Sequence, residues 1–266
     1  MLTFGMPTLI ETKSVEETVA LCAELGLHFL ELNTNFPAHQ IHLLNGDKLN
    51  ELAEKYGVFY TIHLNDEMAV AEFSPAVAEG YRKAVLDTIE FARKIGVKKI
   101  NMHLSDGAKY TMPTEIVYFY GAYREEYLKQ MEFFRDVCER AIGDSGIRIC
   151  IENTNGFRDY QLAALDVLLQ SDVFALTLDI GHNYCAKLVD EPWIMAHENR
   201  LCHMHMHDAN NRKNDHLALG DGELDLQKFL SLADRHDCTV VLETKTVEGL
   251  RKSAQWVKNK GLIQGK

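Results

Sequence analysis

The sequence predicts an α/β protein that folds as a single (β/α)8 TIM barrel. Short apolar segments alternate with longer amphipathic segments eight times along the 266 residues, and a parallel barrel of this kind typically needs about 250 residues. No linker rich in proline or glycine breaks the alternation, so we expect residues 1–266 to form one domain. An open doubly wound sheet is the alternative, but no G-x-G-x-x-G pattern follows an early strand.

The strands are predicted where short apolar runs stand between helix patterns. They are expected at residues 3–8, 28–33, 58–64, 98–104, 148–153, 174–180, 201–207 and 239–244. The first helix has recognisable ends, because Ser14 and Glu17 form a capping box and Gly26 stands where a left-handed cap is favoured. Further helices are predicted at residues 123–142 and 247–260.

Two connections, residues 105–122 and 209–225, are longer than barrel closure requires. Both follow strand ends, so both should lie over the C-terminal mouth of the barrel, where barrel enzymes place their active sites. The first connection carries an aromatic cluster, which we interpret either as loop packing or as a wall of a substrate site. The cluster consists of Tyr110, Tyr118, Phe119 and Tyr120.

Composition and charge argue against several classes of protein. The chain has 28 basic and 39 acidic residues and a net charge of −11, which disfavours non-specific nucleic-acid binding because that binding depends on phosphate neutralisation. No apolar run approaches the roughly 20 residues of a membrane span, and the N-terminus lacks a secretory signal pattern. Six scattered cysteines without a C-x-x-C pair indicate reduced core residues and a cytoplasmic protein.

The seventh strand has an unusual second face. Alternation with a period of two places Cys202, Met204 and Met206 on one face and three imidazoles on the other. An imidazole is costly to bury without a partner and is the commonest metal ligand in proteins. The segment therefore indicates either a metal site or a set of partly satisfied buried histidines. The three imidazoles belong to His203, His205 and His207.

Six consecutive strands each end in an imidazole or a carboxylate, and the loops after two of them add further histidines. In a parallel barrel these strand ends meet at one mouth, so the side chains should converge. Inward carboxylates need cations or protons, and a mixed set of His and Asp/Glu suits zinc, manganese, cobalt or magnesium. A solvated strand end is the alternative for any one residue. The strand residues are His63, His103, Glu152, Asp179, His205 and Glu243, and the loop residues are His182 and His216.

These residues stand in motifs that resemble those of the xylose isomerase-like barrel superfamily. That group holds sugar and sugar phosphate isomerases and epimerases together with endonuclease IV, and the resemblance runs through essentially the whole barrel. Its most specific pieces are Ile151-Glu-Asn-Thr154, Leu178-Asp-Ile-Gly-His182, His205-Met-His-Asp208, His216-Leu-Ala-Leu-Gly-Asp-Gly222 and Leu242-Glu-Thr244.

The resemblance to the isomerases and epimerases implies one divalent metal ion held by Glu152, Asp179, His205 and Glu243. The two glutamates would also act as the acid/base pair, and His182 would help to hold the substrate. That substrate would be a small sugar, sugar phosphate or related polyol compound, with proton transfer through a metal-bound enediolate. Arg212, in the loop above the seventh strand, is a candidate contact for a substrate phosphate or hydroxyl, with a solvated loop cation as the alternative.

The resemblance to endonuclease IV implies an alternative function, a zinc-dependent phosphodiesterase acting at abasic sites in DNA. In the nuclease one zinc is held at positions matching His63, His103 and Glu152. A further zinc uses positions matching His182 and His216 together with an Asp two residues before the second histidine. This chain has Asn214 at that position, with Asp215 beside it, and the neutral amide is a poorer ligand.

Loop chemistry argues against DNA as the partner. Residues 33–40 contain no arginine, and residues 65–68 contain no aromatic or basic side chain, whereas the nuclease uses those loops to hold bent DNA. We therefore expect a sugar-like small molecule as the partner, in carbohydrate metabolism, with one metal site and a second or third ion if the extra histidines also bind. A structural ion or a metabolite sensor is the non-enzymatic alternative, and a homo-oligomer is left open.

Overall fold

The computed structural model describes residues 2–263, in which eight parallel strands close into a barrel. The strands are β1 (Thr3–Pro7), β2 (Phe29–Asn33), β3 (Phe59–His63), β4 (Lys99–His103), β5 (Lys109–Thr111), β6 (Ile116–Tyr118), β7 (Arg148–Glu152), β8 (Phe174–Asp179), β9 (Leu201–Met206), β10 (Asp208–Asn210), β11 (Asn214–Leu217) and β12 (Thr239–Leu242). The barrel order is β1-β2-β3-β4-β7-β8-β9-β12, and β12 pairs with β1. All eight predicted barrel strands are present, one or two residues shorter than expected, and the (β/α)8 prediction is confirmed.

Two antiparallel hairpins stand outside the barrel. Strands β5 and β6 form one within the first long connection, and β10 and β11 form the other within the second. Both hairpins follow a barrel strand directly, since β5 comes after β4 and β10 after β9. They therefore belong to the end of the barrel where the carboxyl ends of the strands meet.

Every connection between successive barrel strands carries at least one helix. The helices are α1 (Val15–Glu24), α2 (Gly46–Tyr56), α3 (Pro75–Lys94), α4 (Phe119–Ala122), α5 (Arg124–Ile142), α6 (Asp159–Leu168), α7 (Ile180–Cys185), α8 (Glu191–Ala196), α9 (Leu226–Arg235) and α10 (Val247–Asn259). At the start of α1, Ser14 accepts a hydrogen bond from Glu17 N (3.1 Å), as predicted, whereas the Glu17 carboxylate accepts from Lys13 N (2.8 Å) and not from Ser14. No helix within residues 2–263 is long and apolar enough to cross a membrane.

The hydrophobic core lies between the outer face of the barrel and the helices. Alternate strand residues such as Phe4, Leu30 and Ile62 belong to it and are fully buried. Helix α9 shows the matching pattern, because its buried residues include Leu226, Phe229, Leu230 and Ala233, at the i, i+3, i+4 and i+7 positions of one helix face. The inward residues of the strands are left free for polar chemistry.

A β-bulge in β9 changes which side chains point into the barrel. Leu176 of β8 pairs with Leu201, but the next residue, Thr177, pairs with His203, so Cys202 is an extra residue on β9. Such a bulge turns an additional side chain to the same face. Cys202 packs against Cys150 with the two Sγ atoms 3.4 Å apart. The expectation that Cys202 shares the outer face with the strand's two methionines is therefore wrong, because it assumed unbroken alternation.

Candidate metal centre

Four residues from the carboxyl ends of four barrel strands form a compact group inside the mouth. Glu152 and Asp179 are the last residues of β7 and β8, His205 lies in β9, and Glu243 follows β12. Each contributes one ligand atom, and all four atoms lie within 4.8 Å of one another. All four residues are buried. The structure therefore brings together the four positions that the resemblance implied for a metal ion, although their role stays a prediction.

The imidazole of His205 lies at the centre of this group. Its Nδ1 atom is 3.3 Å from Glu152 Oε1 and 3.1 Å from Glu243 Oε2. Both His205 Nδ1 and Glu243 Oε2 are buried without a hydrogen-bond partner among the described residues. Buried carboxylates at this density need a cation, and one imidazole with three carboxylates is a donor set that divalent ions accept. The residues present thus fit a divalent metal ion.

The charges of the group reinforce one another. Burial acts to raise the pKa of Glu152, but the neighbouring His205 and His103 outweigh it and lower the pKa well below its ordinary value. The pKa of Glu243 is lowered in the same way against burial, by His205 and Lys245. Burial acts to lower the pKa of His205, yet the carboxylates around it raise that pKa well above its ordinary value. The glutamates are therefore held ionised, which is the form that binds a cation.

Asp179 is held in place by its local sequence. It is the N-cap of α7, and its Oδ1 atom accepts a hydrogen bond from His182 N at 2.6 Å. The amide side chain of Asn153 binds the Asp179 backbone twice, donating to its carbonyl and accepting from its N–H, both at 2.9 Å. The strand-to-helix turn thus fixes the Asp179 carboxylate at the mouth and starts a helix that carries His182.

The predicted histidines His63 and His103 meet on one side of this group. Their Nε2 atoms lie 3.4 Å and 3.2 Å from Glu152 Oε2, and their rings make an edge contact with centroids 4.9 Å apart. Asn101 donates to the same Glu152 oxygen. On the far side of the rings, Asp66 Oδ1 is 3.7 Å and 3.8 Å from the two Nδ1 atoms. Glu152 could therefore be shared between the central group and a second ion.

The predicted histidines His182 and His216 meet on the other side, together with His207. His182 Nδ1 is 3.3 Å from Asp179 Oδ2, and His216 Nε2 is 3.9 Å from Glu243 Oε2. His207 completes a third set of three close ligand atoms with these two histidines. Its own ring is held by an Nε2 contact of 3.1 Å to Asp179 and by the His216 N–H, which donates to His207 Nδ1 at 2.8 Å.

Asn214, at the position of the aspartate in the further zinc site of the nuclease, pairs within its own hairpin. Its side chain donates to Asn210 within the same hairpin (2.8 Å), and Asp215 Oδ1 lies 2.8 Å from His216 Nδ1. The Asn214 amide is thus engaged within the hairpin, and the carboxylate of Asp215 orients the imidazole that faces Glu243.

The predicted substrate contact Arg212 lies at the surface. Its guanidinium is 4.1 Å from the centre of the Tyr184 ring and donates to the Tyr184 carbonyl at 3.0 Å. The ammonium of Lys245 is much closer to the central group, with Nζ 2.7 Å from Glu243 Oε1. Sequence reasoning missed Lys245, although its position two residues beyond Glu243 in the same loop is a usable signal.

Sequence reasoning also missed Glu31, a buried carboxylate on β2. Its Oε1 and Oε2 atoms lie 2.8 Å from His205 Nε2 and 2.9 Å from His203 Nε2. A glutamate in the middle of the apolar run Phe29-Leu-Glu-Leu32 was the available signal, because an isolated acid in a buried strand needs an internal partner.

Several solved structures have the same architecture, and one of them is named as a sugar epimerase and another as an epimerase-like protein. A D-tagatose 3-epimerase-like protein is 22% identical over 98% of each chain, with a TM-score of 0.81. The 3-keto-D-glucoside 4-epimerase YcjR from E. coli is 15% identical over 97% of this chain and 100% of its own, with a TM-score of 0.78. The IOLI protein, solved with a zinc atom, is 15% identical over 98% of each chain, with a TM-score of 0.74.

At these identities the structural likeness establishes a shared fold. The sequence itself matches the model of the xylose isomerase-like TIM barrel family over residues 19–260. That match covers nearly the whole chain and includes seven of the eight barrel strands, all except β1. The resemblance read from the motifs is confirmed, and the chain belongs to the xylose isomerase-like TIM barrel family.

Proposed function

We propose that the protein is a divalent-metal-dependent isomerase or epimerase of a small sugar, sugar phosphate or related polyol compound. One observation carries this proposal. Glu152 and Glu243 come from strands that are separated by β8 and β9, yet each brings a carboxylate oxygen to within 3.3 Å of the same atom, His205 Nδ1. Two carboxylates beside one metal-ligand set suit a reaction that removes a proton and returns it.

The chemistry divides between the ion and the two glutamates. A divalent ion held by Glu152, Asp179, His205 and Glu243 would polarise a substrate carbonyl and its neighbouring oxygen. In the substrate complex one glutamate is ionised and removes the proton from the carbon next to the carbonyl, while the other must carry a proton, taken from solvent, which it gives to that carbon. Because the two carboxylates reach the site from different strands, return to the opposite face of that carbon gives an epimer.

The two glutamates have different surroundings, which suits different roles. Glu152 Oε2 accepts from the Asn101 amide, whose own oxygen accepts from Thr177 at 2.6 Å, so this carboxylate is held rigidly inside the barrel. Glu243 instead has the Lys245 ammonium 2.7 Å from Oε1. Glu152, held by a buried amide donor, and Glu243, beside the exposed Lys245 ammonium, form an asymmetric acid/base pair.

The comparisons support the same class of reaction. Two of the similar structures are named as an epimerase or as epimerase-like, and a third holds zinc. We infer for this chain a divalent metal among zinc, manganese, cobalt and magnesium, since the ligand set suits all four. One domain over residues 1–266, a cytoplasmic location and a homo-oligomer stay predictions.

The test combines metal analysis with isotope exchange. The purified protein is analysed for bound metal and incubated with ketoses and ketose phosphates in D2O, and epimer formation and deuterium uptake are followed by NMR. We expect uptake at the carbon next to the carbonyl and a loss of about 10²–10⁴-fold in rate for Glu152→Gln and Glu243→Gln. Glu139→Gln, at an exposed position of α5, is the control and should keep full activity.

A metal-loaded protein that exchanges no deuterium with any of these sugars would contradict the proposal. A second candidate, phosphodiester hydrolysis, is favoured by one observation, the convergence of His63 and His103 on Glu152 Oε2, which could hold a further ion. Incubation with a duplex that carries one abasic site separates the two functions. We expect an intact duplex, and EDTA-resistant incision by a protein with two or three zinc ions would replace the first proposal with the second.

A further inference from the structure

The interior of the barrel contains a further buried carboxylate beside the candidate metal centre, Glu31. It lies in the middle of β2 and is only 2% exposed. In the strand register it pairs with Pro7 and Thr61 and not with any residue of the metal set. A carboxylate buried this deeply requires donors around it, and those donors show what Glu31 does.

Both oxygens of Glu31 are in contact with donor groups. Oε2 accepts from the Thr61 hydroxyl at 2.8 Å and lies 2.9 Å from His203 Nε2. Oε1 lies 2.8 Å from His205 Nε2, in a contact too bent to count as a hydrogen bond. One carboxylate therefore joins two imidazoles of the same strand, His203 and the predicted metal ligand His205.

The hydrogen-bond directions in this group are determined at both ends. Lys99 can only donate, and its ammonium reaches Thr239 Oγ1 at 3.1 Å. Thr239 then donates its own proton to His203 Nδ1, 2.5 Å away. At the other end the Glu31 carboxylate can only accept, so the proton of His203 is on Nε2. Lys99, Thr239, His203 and Glu31 thus form a chain with a single donor-to-acceptor direction.

The bulge in β9 makes this chain possible. The extra residue Cys202 brings His203 into register with Thr177 and His205 into register with Asp179, so both imidazoles face inward. The Cys202 carbonyl also accepts from Lys99 at 2.6 Å. Lys99 is therefore held between the bulge and Thr239, which places the first donor of the chain.

The same reasoning assigns the proton of His205. An anionic oxygen 2.8 Å from His205 Nε2 favours an N–H group over a nitrogen lone pair beside it even without hydrogen-bond alignment, so His205 Nε2 carries the hydrogen. The other ring nitrogen, Nδ1, then offers its lone pair on the side where Glu152 and Glu243 lie. A carboxylate behind a ligating histidine fixes its tautomer and raises its basicity.

We infer that Glu31 is a positioning residue that holds His205 in the Nε2–H tautomer and so presents Nδ1 to a divalent ion. The inference rests on the metal-binding part of the proposed function and holds whichever reaction the ion supports. Glu31 itself does not belong to the central group of ligands. It acts through His205.

The test is a zinc titration against a competing chromophoric chelator, with wild-type protein and Glu31→Gln. The amide keeps the shape of the side chain but can accept on one atom only, so one imidazole loses its acceptor. We expect zinc affinity to fall about 10–100-fold. Asp190→Asn is the matched control, because Asp190 is also a 2% exposed carboxylate but accepts from Phe157 N, outside the site, and its zinc affinity should stay within about twofold of wild type.

A second measurement needs no variant. The nitrogen-15 shifts of the His205 ring in zinc-loaded wild-type protein report which nitrogen carries hydrogen, and we expect Nε2–H. Hydrogen on Nδ1, or zinc affinity of Glu31→Gln equal to that of wild type, would overturn the role of Glu31. A wild-type protein that binds no zinc, manganese, cobalt or magnesium would instead overturn the metal-dependent function, so the two failures are distinguishable.

Discussion

The two hairpins at the mouth of the barrel arise in the same way and make different contributions. Both follow a barrel strand and fold back in antiparallel pairing. The β10–β11 hairpin carries His216 to within 3.9 Å of Glu243, while none of the close groups of metal-ligating side chains includes a residue of the β5–β6 hairpin. The β5–β6 hairpin instead exposes apolar side chains, among them Tyr110 and Ile116.

The difference lies in how each hairpin is attached. The second is tied through its backbone to one buried carboxylate, Asp208, which accepts from Ala209 N (2.9 Å), Gly220 N (3.0 Å) and Leu224 N (3.1 Å). The first is tied by side chains, chiefly those that meet Arg158. Backbone bonds to a buried acceptor leave little freedom, so the hairpin with the more rigid attachment is the one that can place a ligand.

The largest expected effect on stability follows from breaking the backbone attachment of the β10–β11 hairpin to Asp208. Asp208→Asn replaces one acceptor oxygen with a donor that faces a backbone N–H, so at least one buried hydrogen bond is lost. We expect the free energy of unfolding to fall by about 1–3 kcal/mol and His216 to lose its fixed position. Urea denaturation followed by circular dichroism measures the first, and the exposed Asp221 of the same loop, changed to Asn, should shift stability by less than about 0.5 kcal/mol.

His182 and His205, beside the barrel carboxylates, should differ in protonation from His216 of the β10–β11 hairpin. Burial acts to lower the pKa of His182, but Asp179 and Glu152 raise it to about 10, and the pKa of His205 is raised well above its ordinary value. Burial and His207 lower the pKa of His216. At pH 7 the two barrel histidines are therefore protonated in the metal-free protein, whereas His216 is neutral.

A metal ion in the central group requires a neutral His205 imidazole, so its binding must displace one proton from His205, and an ion that His182 also binds would displace a second. Below the raised pKa values we expect zinc affinity to increase about tenfold per pH unit for each proton released. Calorimetric titration in buffers of different ionisation enthalpy counts these protons. The count should be the same in His216→Ala, and a lower count in that variant would show that the hairpin histidine is also protonated.

A smaller effect is expected from breaking the side-chain attachment of the β5–β6 hairpin. The Arg158 guanidinium lies 3.6 Å from the Tyr118 ring centre, donates to Tyr118 OH at 2.6 Å and pairs with Asp106 at 3.0 Å. These groups are partly exposed, so Arg158→Met should lower the free energy of unfolding by about 1 kcal/mol. Amide hydrogen exchange of residues 109–118 should become faster while zinc affinity stays unchanged, and Arg124→Met serves as the control.

The smallest effect is expected from Tyr110→Ala. Tyr110 stacks on Phe119 with ring centres 6.3 Å apart and remains 58% exposed, so the stability change should be less than about 0.5 kcal/mol. Zinc affinity should not change. A raised KM with unchanged kcat on a sugar substrate would decide between the two interpretations of the aromatic cluster in favour of a substrate wall.

That cluster marks where sequence reasoning could not separate packing from function. Tyr120 turns out to be fully buried and stacked on Tyr127 at 4.4 Å, while Tyr110 is exposed. Aromatic side chains have the same sequence signature in either setting, because both depend on which other loops come close. The strand ends were easier to interpret, since parallel strands in a barrel must bring Glu152, Asp179 and Glu243 to one mouth.

Local features of the chain were enough to predict the barrel and its eight strands, because hydrophobic period, helix caps and strand-end residues can be read from short segments. The topology of a parallel barrel then implies that the strand-end side chains meet at one mouth, while their role as ligands stays a prediction. The bulge at Cys202 and the contact of Glu31 with His203, 172 residues away, became visible in the folded barrel alone. The tertiary structure also decided that Lys245, rather than Arg212, contacts Glu243. These contacts depend on the register in which the barrel closes, and the register has no local signature in the chain.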